Sequence, residues 1–224
     1  MKRDMIITVG GLCEADNIRE VARLGSDILG FDFKKGNNRF VGMLPSLAGT
    51  LPDYPRSSLL SAGDVPGRLG SFADDMPQTI VANVYNYRLD YIQLDGSELP
   101  VMVSNLRRTL DPDIRKGIKI IKTMELNCEK DFEASRRYEG YVDAFLFNIP
   151  DGYTGSQFRW SLFDAYSGAT PFMIGNVDEN HIRQLLEVRC KQFVGISVDR
   201  EFEQKPGIKD IEKLRRFIAA LRQS

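Results

Sequence analysis

The chain has 224 residues, of which 42% are hydrophobic and 27% are charged, and its net charge is −1. These values are typical of a globular protein with one sizeable core, and we expect a single domain over residues 1–224. A net charge near zero argues against nucleic acid and anionic membranes as partners. The N-terminal apolar run is too short for a signal peptide, and no run of about 18 apolar residues follows, so we expect a cytoplasmic location.

The three cysteines, Cys13, Cys128 and Cys190, are widely spaced and lack a CxxC pattern. An odd number of cysteines at such spacings argues against a disulfide framework and against a zinc site. We therefore expect a reducing compartment, no metal and no other cofactor.

Apolar runs alternate with segments of helical periodicity along the chain. The predicted strands are Met5–Val9, Ile28–Phe33, Leu69–Ala73, Asp90–Leu94, Ile118–Met124, Val142–Phe147, Pro171–Ile174 and Phe193–Val198. The predicted helices are Glu14–Leu24, Asp75–Tyr87, Ser97–Leu110, Cys128–Tyr138, Ser156–Tyr166, Asp178–Val188 and Ile208–Leu221. Eight strand-led units in a chain of this length favour a single (β/α)₈ TIM barrel, an α/β fold, over an open doubly wound sheet.

The segment Gly42–Gly70 interrupts this alternation because it is rich in proline and glycine. Only Arg56–Ala62 has the spacing for a helical turn or two. Irregular segments of this length are unusual in compact domains, so we interpret this one as either a functional flap or an eroded helix. In both cases it stands in place of much of the second helix of the barrel.

The sixth predicted strand is followed directly by Asn148. In a parallel sheet this position lies at the carboxyl ends of the strands, where α/β proteins place their chemistry. An amide can form hydrogen bonds there, but it cannot release a proton near neutral pH.

Six stretches occur in the order of a known family pattern. They read TVGG from Thr8, GFDFKKGNNRFV from Gly30, QLDG from Gln93, FLFNI from Phe145, GYTGSQFRWS from Gly152 and PGIKD from Pro206. The corresponding family patterns are KVCG, GFxFxxxSPRxV, QLHG, FLFDT, GGTGxxFDWS and PGxKD. In this ordered set the chain resembles the phosphoribosylanthranilate isomerases of tryptophan biosynthesis, which are (β/α)₈ barrels.

The resemblance implies an Amadori rearrangement, in which an acid protonates the sugar ring oxygen and a base removes the proton on C2. The family base is the cysteine of KVCG and the family acid is the aspartate of FLFDT. The corresponding residues here are Gly10 and Asn148. Because each such group contributes about 10² to 10⁴ in rate, we expect the isomerase activity to be reduced or lost.

Other side chains are candidates to replace the missing acid and base. Asp32, Cys13 and Asp199 all follow or end predicted strands. The alternative for Asp32 is an exposed or salt-bridged carboxylate, and for Cys13 a small residue at a helix start. Glu125, at the end of the fifth strand, allows the same two interpretations as Asp32.

The resemblance also implies a set of substrate-binding residues. Arg39 matches the arginine that meets the anthranilate carboxylate in the family, and a guanidinium suits a planar carboxylate. The other candidates are Gln93, Asp95, Lys122, Gly152 and Gly155. Lys122 either points into the barrel mouth or bridges carboxylates in the core.

The family binds phosphate after the seventh and eighth strands, with a pair of glycines after the seventh. Here these positions carry Gly175, Asn176, Asp199 and Arg200. A carboxylate about 4 Å from a phosphate charge costs about 4 kcal/mol at an effective dielectric of 20. We therefore expect weakened phosphate affinity, with Arg200 offsetting part of the repulsion.

The expected ligand is a small molecule, an acidic or phosphorylated sugar derivative, and the expected assembly is a monomer or homodimer. Three functions remain open. The first is a family member whose activity is reduced or lost, with binding of an acidic small molecule or a role as a non-catalytic partner as alternatives. The second is a working isomerase with a rebuilt acid and base, and the third is another chemistry on the same barrel. Outside the site, we expect His181 to be a surface residue and Phe158 and Trp160 to be core residues.

Overall fold

The structure is a computed structural model, and it describes residues 5–41, 65–151 and 158–223. Eight parallel strands form a closed barrel in chain order, with the first strand paired to both the second and the eighth. The strands are β1 Ile6–Val9, β2 Ile28–Asp32, β3 Gly67–Phe72, β4 Tyr91–Leu94, β5 Lys119–Glu125, β6 Ala144–Asn148, β7 Phe172–Gly175 and β8 Phe193–Val198. The predicted (β/α)₈ barrel is confirmed.

The α-helices lie between and after the strands. They are α1 Ala15–Ala22, α2 Pro77–Tyr87, α3 Pro100–Leu110, α4 Asp131–Arg136, α5 Ile182–Glu187 and α6 Ile211–Gln223. Short 3₁₀ helices span Trp160–Ala165, Glu179–His181 and Arg200–Phe202, and β9 Glu203–Lys205 pairs antiparallel with β10 Ile208–Lys209. Among the helices of the described ranges, none is long and apolar enough to cross a membrane.

The core has two layers because successive strand residues face opposite sides of the sheet. A small inner cluster fills the barrel and includes Ile28, Ile121 and Leu146. A larger cluster lies between the strands and the helices and includes Phe72 and Phe147. With apolar residues filling the inner layer, polar side chains lie at the carboxyl ends of the strands.

Each predicted helix has at least one different boundary in the structure, and two examples show why. The last helix begins at Ile211, not at Ile208, because Gly207 turns the chain at φ +81° and the next two residues pair in β10. The predicted helix Ser156–Tyr166 forms only the 3₁₀ helix from Trp160 within the described residues.

The irregular segment predicted over Gly42–Gly70 is revised at its end, where Gly67–Phe72 forms β3. Residues 42–64 lie outside the described residues, and so does the predicted flap or eroded helix.

The surface position predicted for His181 is wrong. The residue is only 2% exposed, and its ring packs against Trp160 with the ring centroids 5.3 Å apart. Its Nδ1 accepts a hydrogen bond of 3.0 Å from the backbone N–H of Asp178, which closes a capping box at this turn. The capping contact turns the imidazole inward, and burial lowers its pKa. Phe158 is buried, and Trp160 packs against the core, as predicted.

Candidate active site

A cavity of about 340 Å³ opens at the carboxyl ends of the barrel strands. Its lining is polar and carries four carboxylates and three cationic side chains. The lining residues are Asp32, Lys34, Asn37, Arg39, Gln93, Asp95, Thr123, Glu125, Leu146, Asn148, Gly175, Asn176, Ser197, Asp199 and Arg200. This is the end of the barrel at which (β/α)₈ enzymes bind their substrates, and the volume suits a small molecule.

Asn148 lies at the mouth of this cavity, at the end of β6. It is in register with Glu125 on β5 and with Gly175 on β7. Its Nδ2 donates a hydrogen bond of 3.1 Å to Glu125 Oε1. Partial burial raises the pKa of Glu125, against the lowering effect of this hydrogen bond. An ionisable carboxyl therefore lies directly beside the amide.

Gly10 lies at the end of β1, where its N–H donates to Val198 O at 2.8 Å. A Cβ built on Gly10 would lie 3.5 Å from Asp199 Oδ2, which is an ordinary van der Waals contact. The next residue, Gly11, has φ +64°, and a Cβ there would overlap Asp199 and Arg39. Asp199 therefore fills the space beside the turn after β1, and glycine is required at residue 11.

Asp199, whose side chain is partly exposed, belongs to an ionic network around the buried Lys209 of the β9–β10 hairpin. Lys209 is 1% exposed, and its Nζ donates to Asp199 Oδ1 at 2.8 Å and to Glu203 Oε1 at 2.9 Å. Arg39 donates to the same Glu203 from Nε at 2.8 Å and from Nη2 at 2.5 Å. These bonds raise the pKa of Arg39. In this arrangement the guanidinium expected to meet a ligand carboxylate meets Glu203 instead.

A second charged group surrounds Lys34 on the opposite side of the mouth. Its Nζ lies 2.6 Å from Asp95 Oδ2 and 3.5 Å from Asp32 Oδ2. Asp95 also accepts hydrogen bonds from Gln93 at 2.8 Å and from Thr123 at 2.6 Å. Burial lowers the pKa of Lys34, but the two carboxylates more than offset this effect, so its pKa is raised.

Asp32 is buried, at 4% exposure, so the expectation of an exposed carboxylate is wrong and the salt-bridged alternative fits. It accepts hydrogen bonds from the Lys34 N–H at 2.8 Å and from the Asn37 side chain. Burial raises its pKa. These contacts hold the loop after β2 in place.

The ends of β7 and β8 carry the residues that replace the family's phosphate loops. Asn176 adopts φ +57°, and its side-chain amide donates to Ile149 O at 2.9 Å. Arg200 is half-exposed and donates to Asp151 at 2.9 Å. A Cβ on Gly175 would overlap the side-chain oxygen of Asn148, so glycine here makes room for that amide. Gly152 and Gly155 lie outside the described residues.

Three of the described sequence candidates do not line the cavity. Gly10 lies behind the lining residue Asp199, and the other two are Lys122 and Cys13. Lys122 points away from the cavity, and its Nζ donates to Gly96 O at 2.6 Å and to Glu98 Oε2 at 3.2 Å. It therefore takes the core-bridging alternative, because its strand neighbours Ile121 and Thr123 occupy the inward-facing positions. Cys13 faces Gly207, whose carbonyl lies 3.7 Å from its Sγ. Burial raises its thiol pKa, which disfavours the thiolate that a base requires.

Comparison with known proteins identifies the barrel. The family model for N-(5′-phosphoribosyl)anthranilate (PRA) isomerase matches residues 58–220. The N-(5′-phosphoribosyl)anthranilate isomerase of Parabacteroides distasonis is 37% identical over 218 residues, which are 96% of this chain and 92% of that protein. The chain belongs to the phosphoribosylanthranilate isomerase family.

Further relatives and solved structures agree over nearly the whole length. The isomerase of Phocaeicola vulgatus is 31% identical, covering 98% of each chain. The crystal structure of the Thermus thermophilus phosphoribosylanthranilate isomerase superposes with a TM-score of 0.76 at 20% identity, covering 98% of this chain and 99% of that one. A family structure in complex with reduced 1-(o-carboxyphenylamino)-1-deoxyribulose 5-phosphate gives 0.72 at 18% identity, covering 98% and 100%.

Within this isomerase family, the chain has charged site residues that sequence analysis did not select. Lys34, Glu203 and Lys209 form ion pairs at the site. Lys34 and Lys209 lie within the motifs GFDFKKGNNRFV and PGIKD, but those motifs served there only to establish the resemblance. Lys34 lies two residues beyond β2, which is a usable signal for a mouth residue. The β9–β10 hairpin determines the direction of the Lys209 side chain, and no hydrophobic periodicity in the sequence predicts that hairpin.

Proposed function

We propose that this protein carries out the family reaction, the Amadori rearrangement of N-(5′-phosphoribosyl)anthranilate, at a reduced rate. The observation that carries the proposal is the pair of residues at the carboxyl ends of β1 and β6, Gly10 and Asn148. Neither can donate or accept the protons that the reaction moves. The surrounding polar cavity, by contrast, retains a volume suited to a small sugar derivative.

The expected reduction follows from the roles of the two positions. A positioned acid or base contributes about 10² to 10⁴ in rate, and groups that act together are not additive. Losing both therefore leaves positioning of the substrate, electrostatics and any neighbouring ionisable group to support the reaction.

The proposed substrate is a phosphorylated aminosugar that carries an aromatic acid. The relative solved with reduced 1-(o-carboxyphenylamino)-1-deoxyribulose 5-phosphate supports this class. We place the phosphate near Asn176 and Arg200, with weakened affinity because Asp199 is close to Arg200. We place the aromatic carboxylate near Arg39, which would exchange Glu203 for the ligand. We also propose that the protein is cytoplasmic, has a single domain and is a monomer or a homodimer.

Purified protein assayed for turnover of N-(5′-phosphoribosyl)anthranilate tests the proposal. We expect slow turnover, and a gain in kcat of at least about 100-fold when Gly10→Cys and Asn148→Asp are combined. The exposed Asn127→Asp serves as a control for an added acid and should leave kcat unchanged. Wild-type kcat equal to that of the double variant would contradict the reduced rate.

A non-catalytic role is a separate outcome of the same work. Thermal shift with the product analogue raises the apparent stability of any form that binds it, whether or not it turns over. Binding without turnover would identify a sugar-acid binder, and turnover by the double variant alone would show that only the chemistry had been lost.

A further inference from the structure

We propose that Glu125 and Asp199 supply the acid and the base of the slow isomerisation. Glu125 protonates the ring oxygen in place of the family aspartate, and Asp199 removes the C2 proton in place of the family cysteine. This inference rests on the proposed function, and it names two side chains that the family motifs leave unassigned.

The position of Asp199 supports its role as the base. Its Oδ1 is held by Lys209 at 2.8 Å, and its Oδ2 faces the point where a side chain on Gly10 would begin, 3.5 Å away. Within the described part of the chain, Oδ2 accepts no hydrogen bond. One oxygen is therefore anchored from behind, while the other is presented to the space that a cysteine side chain would enter.

The position of Glu125 supports its role as the acid. It is in register with Asn148 on the neighbouring strand, and the two side chains are joined by a hydrogen bond of 3.1 Å. Its carboxyl therefore reaches the part of the cavity that an aspartate at residue 148 would serve. Partial burial raises the pKa of Glu125, which favours the protonated form that a general acid needs.

The other carboxylates of the mouth are committed to neighbours. Asp95 accepts hydrogen bonds from Lys34, Gln93 and Thr123. Asp32 accepts from Lys34 and Asn37 in the loop after β2. Among the described residues, the carboxylate bonded to Asn148 is Glu125 and the one nearest Gly10 is Asp199, so Asp32 and Asp95 are poorer candidates.

The two steps balance as an isomerisation. Glu125 gives its proton to the ring oxygen as the bond from C1 to that oxygen breaks and the substrate nitrogen forms a double bond to C1. Asp199 then takes the proton from C2, and the C–H electrons form a double bond between C1 and C2 as the C1–N π electrons return to nitrogen. In the tautomerisation of the resulting enol, Asp199 returns its proton to C1 and the enol hydroxyl gives its proton to Glu125. This leaves a carbonyl at C2, restores both side chains and consumes no other reactant.

The test compares Glu125→Gln and Asp199→Asn with wild type by steady-state kinetics. We expect kcat to fall about 100-fold in each variant, because each loses one proton-transfer group. KM should change by less than about threefold, since the amides preserve shape. Glu133→Gln, an exposed carboxylate on the helix after β5, is the matched control. Asp199→Asn keeps an oxygen for Lys209, and a thermal melt checks that each variant is folded.

Rescue separates proton transfer from a structural role. Gly10→Cys should restore kcat in Asp199→Asn, and Asn148→Asp should restore it in Glu125→Gln, because each returns the missing group to the same part of the cavity. The crossed combinations should restore nothing. A merely structural defect would respond to neither added side chain.

The outcomes distinguish this inference from the proposed function. Wild-type turnover that survives both Glu125→Gln and Asp199→Asn at the level of the control would overturn the acid–base pair while leaving the slow isomerase in place. A large loss in Asp32→Asn without one in Glu125→Gln would overturn the assigned acid. No turnover by wild type would overturn both proposals.

Discussion

A buried ammonium group determines how the carboxylates of the mouth are arranged. Lys209 is 1% exposed and contacts both Asp199 and Glu203. Removing a buried cation lowers the free energy of unfolding, because its anionic partners are then left unpaired in a medium that solvates them poorly. The same residue therefore contributes to stability and to the orientation of Asp199.

Lys209→Met should lower the free energy of unfolding by roughly 3 kcal/mol, the low end for breaking a buried ion pair. Arg39 still pairs with Glu203 and limits the loss. Urea denaturation measures the change, with the exposed Lys205→Met on the same hairpin as the control. Equal unfolding free energies for the two variants would show that the network contributes nothing to stability.

At the scale of elements, two helices end in different backbone conformations. The C-cap of α2 is Arg88, which adopts the left-handed conformation at φ +51°. The C-cap of α1 is Arg23, which remains right-handed at φ −83°. Only the first of these conformations favours glycine, because a Cβ is strained there.

Arg88→Gly should raise the free energy of unfolding by roughly 0.5 to 1 kcal/mol, since the strain at positive φ exceeds the entropy that glycine adds to the unfolded chain. Arg23→Gly is the matched control at an exposed right-handed cap and should be neutral or destabilising. Thermal or urea unfolding measures both. A gain of equal size in both variants would disprove the conformational explanation.

The sequence predicted most elements because the strands are apolar runs between turns and the helices are periodic. The ends were harder to place. The strand predicted over Ile118–Met124 runs over Lys119–Glu125, and the last helix lost its first turn to the hairpin at Gly207. Hairpin pairing is decided by contacts between residues of Glu203–Lys209, which helical spacing does not record.

The candidate site was predictable where a residue ends or directly follows a strand, as for Asp32, Glu125 and Asn148. The direction of a side chain was not predictable for Lys122, because both faces of a barrel strand are buried. Cys13 was chosen by proximity to Gly10 in sequence, but the turn after β1 directs it towards Gly207. His181 was assigned to the surface from its helical spacing, which a local capping box overrode.

At the scale of the whole molecule, acid groups with shifted pKa values link stability to pH. Burial raises the pKa of Glu203, but the bonds from Arg39 and Lys209 more than offset it, so the pKa lies below its ordinary 4.5. Such a group stabilises the folded state above its unfolded pKa, and this contribution is lost as pH falls through the folded pKa. Asp32 and Glu125, whose pKa values are raised, contribute with the opposite sign.

Glu203→Gln should lower the melting temperature at pH 7 and bring it closer to that of wild type as the pH falls below 4.5 and through the lowered folded pKa of Glu203. The reason is that wild type loses the ionised Glu203 in this window, and the variant never had it. Melting curves of both proteins across the pH range give the difference directly, and the contributions of the other acids cancel. Parallel curves would show that Glu203 is not linked to folding.

The free space beside the Cα of Gly10 affects which amino acids this residue can change to. A Cβ at that residue would touch its nearest neighbour at 3.5 Å, so the backbone can accept a larger amino acid without moving. Its neighbour Gly11 has no such freedom. Residue 10 therefore has room for a Cβ, and selection for faster turnover could introduce a small side chain there without rebuilding the turn after β1.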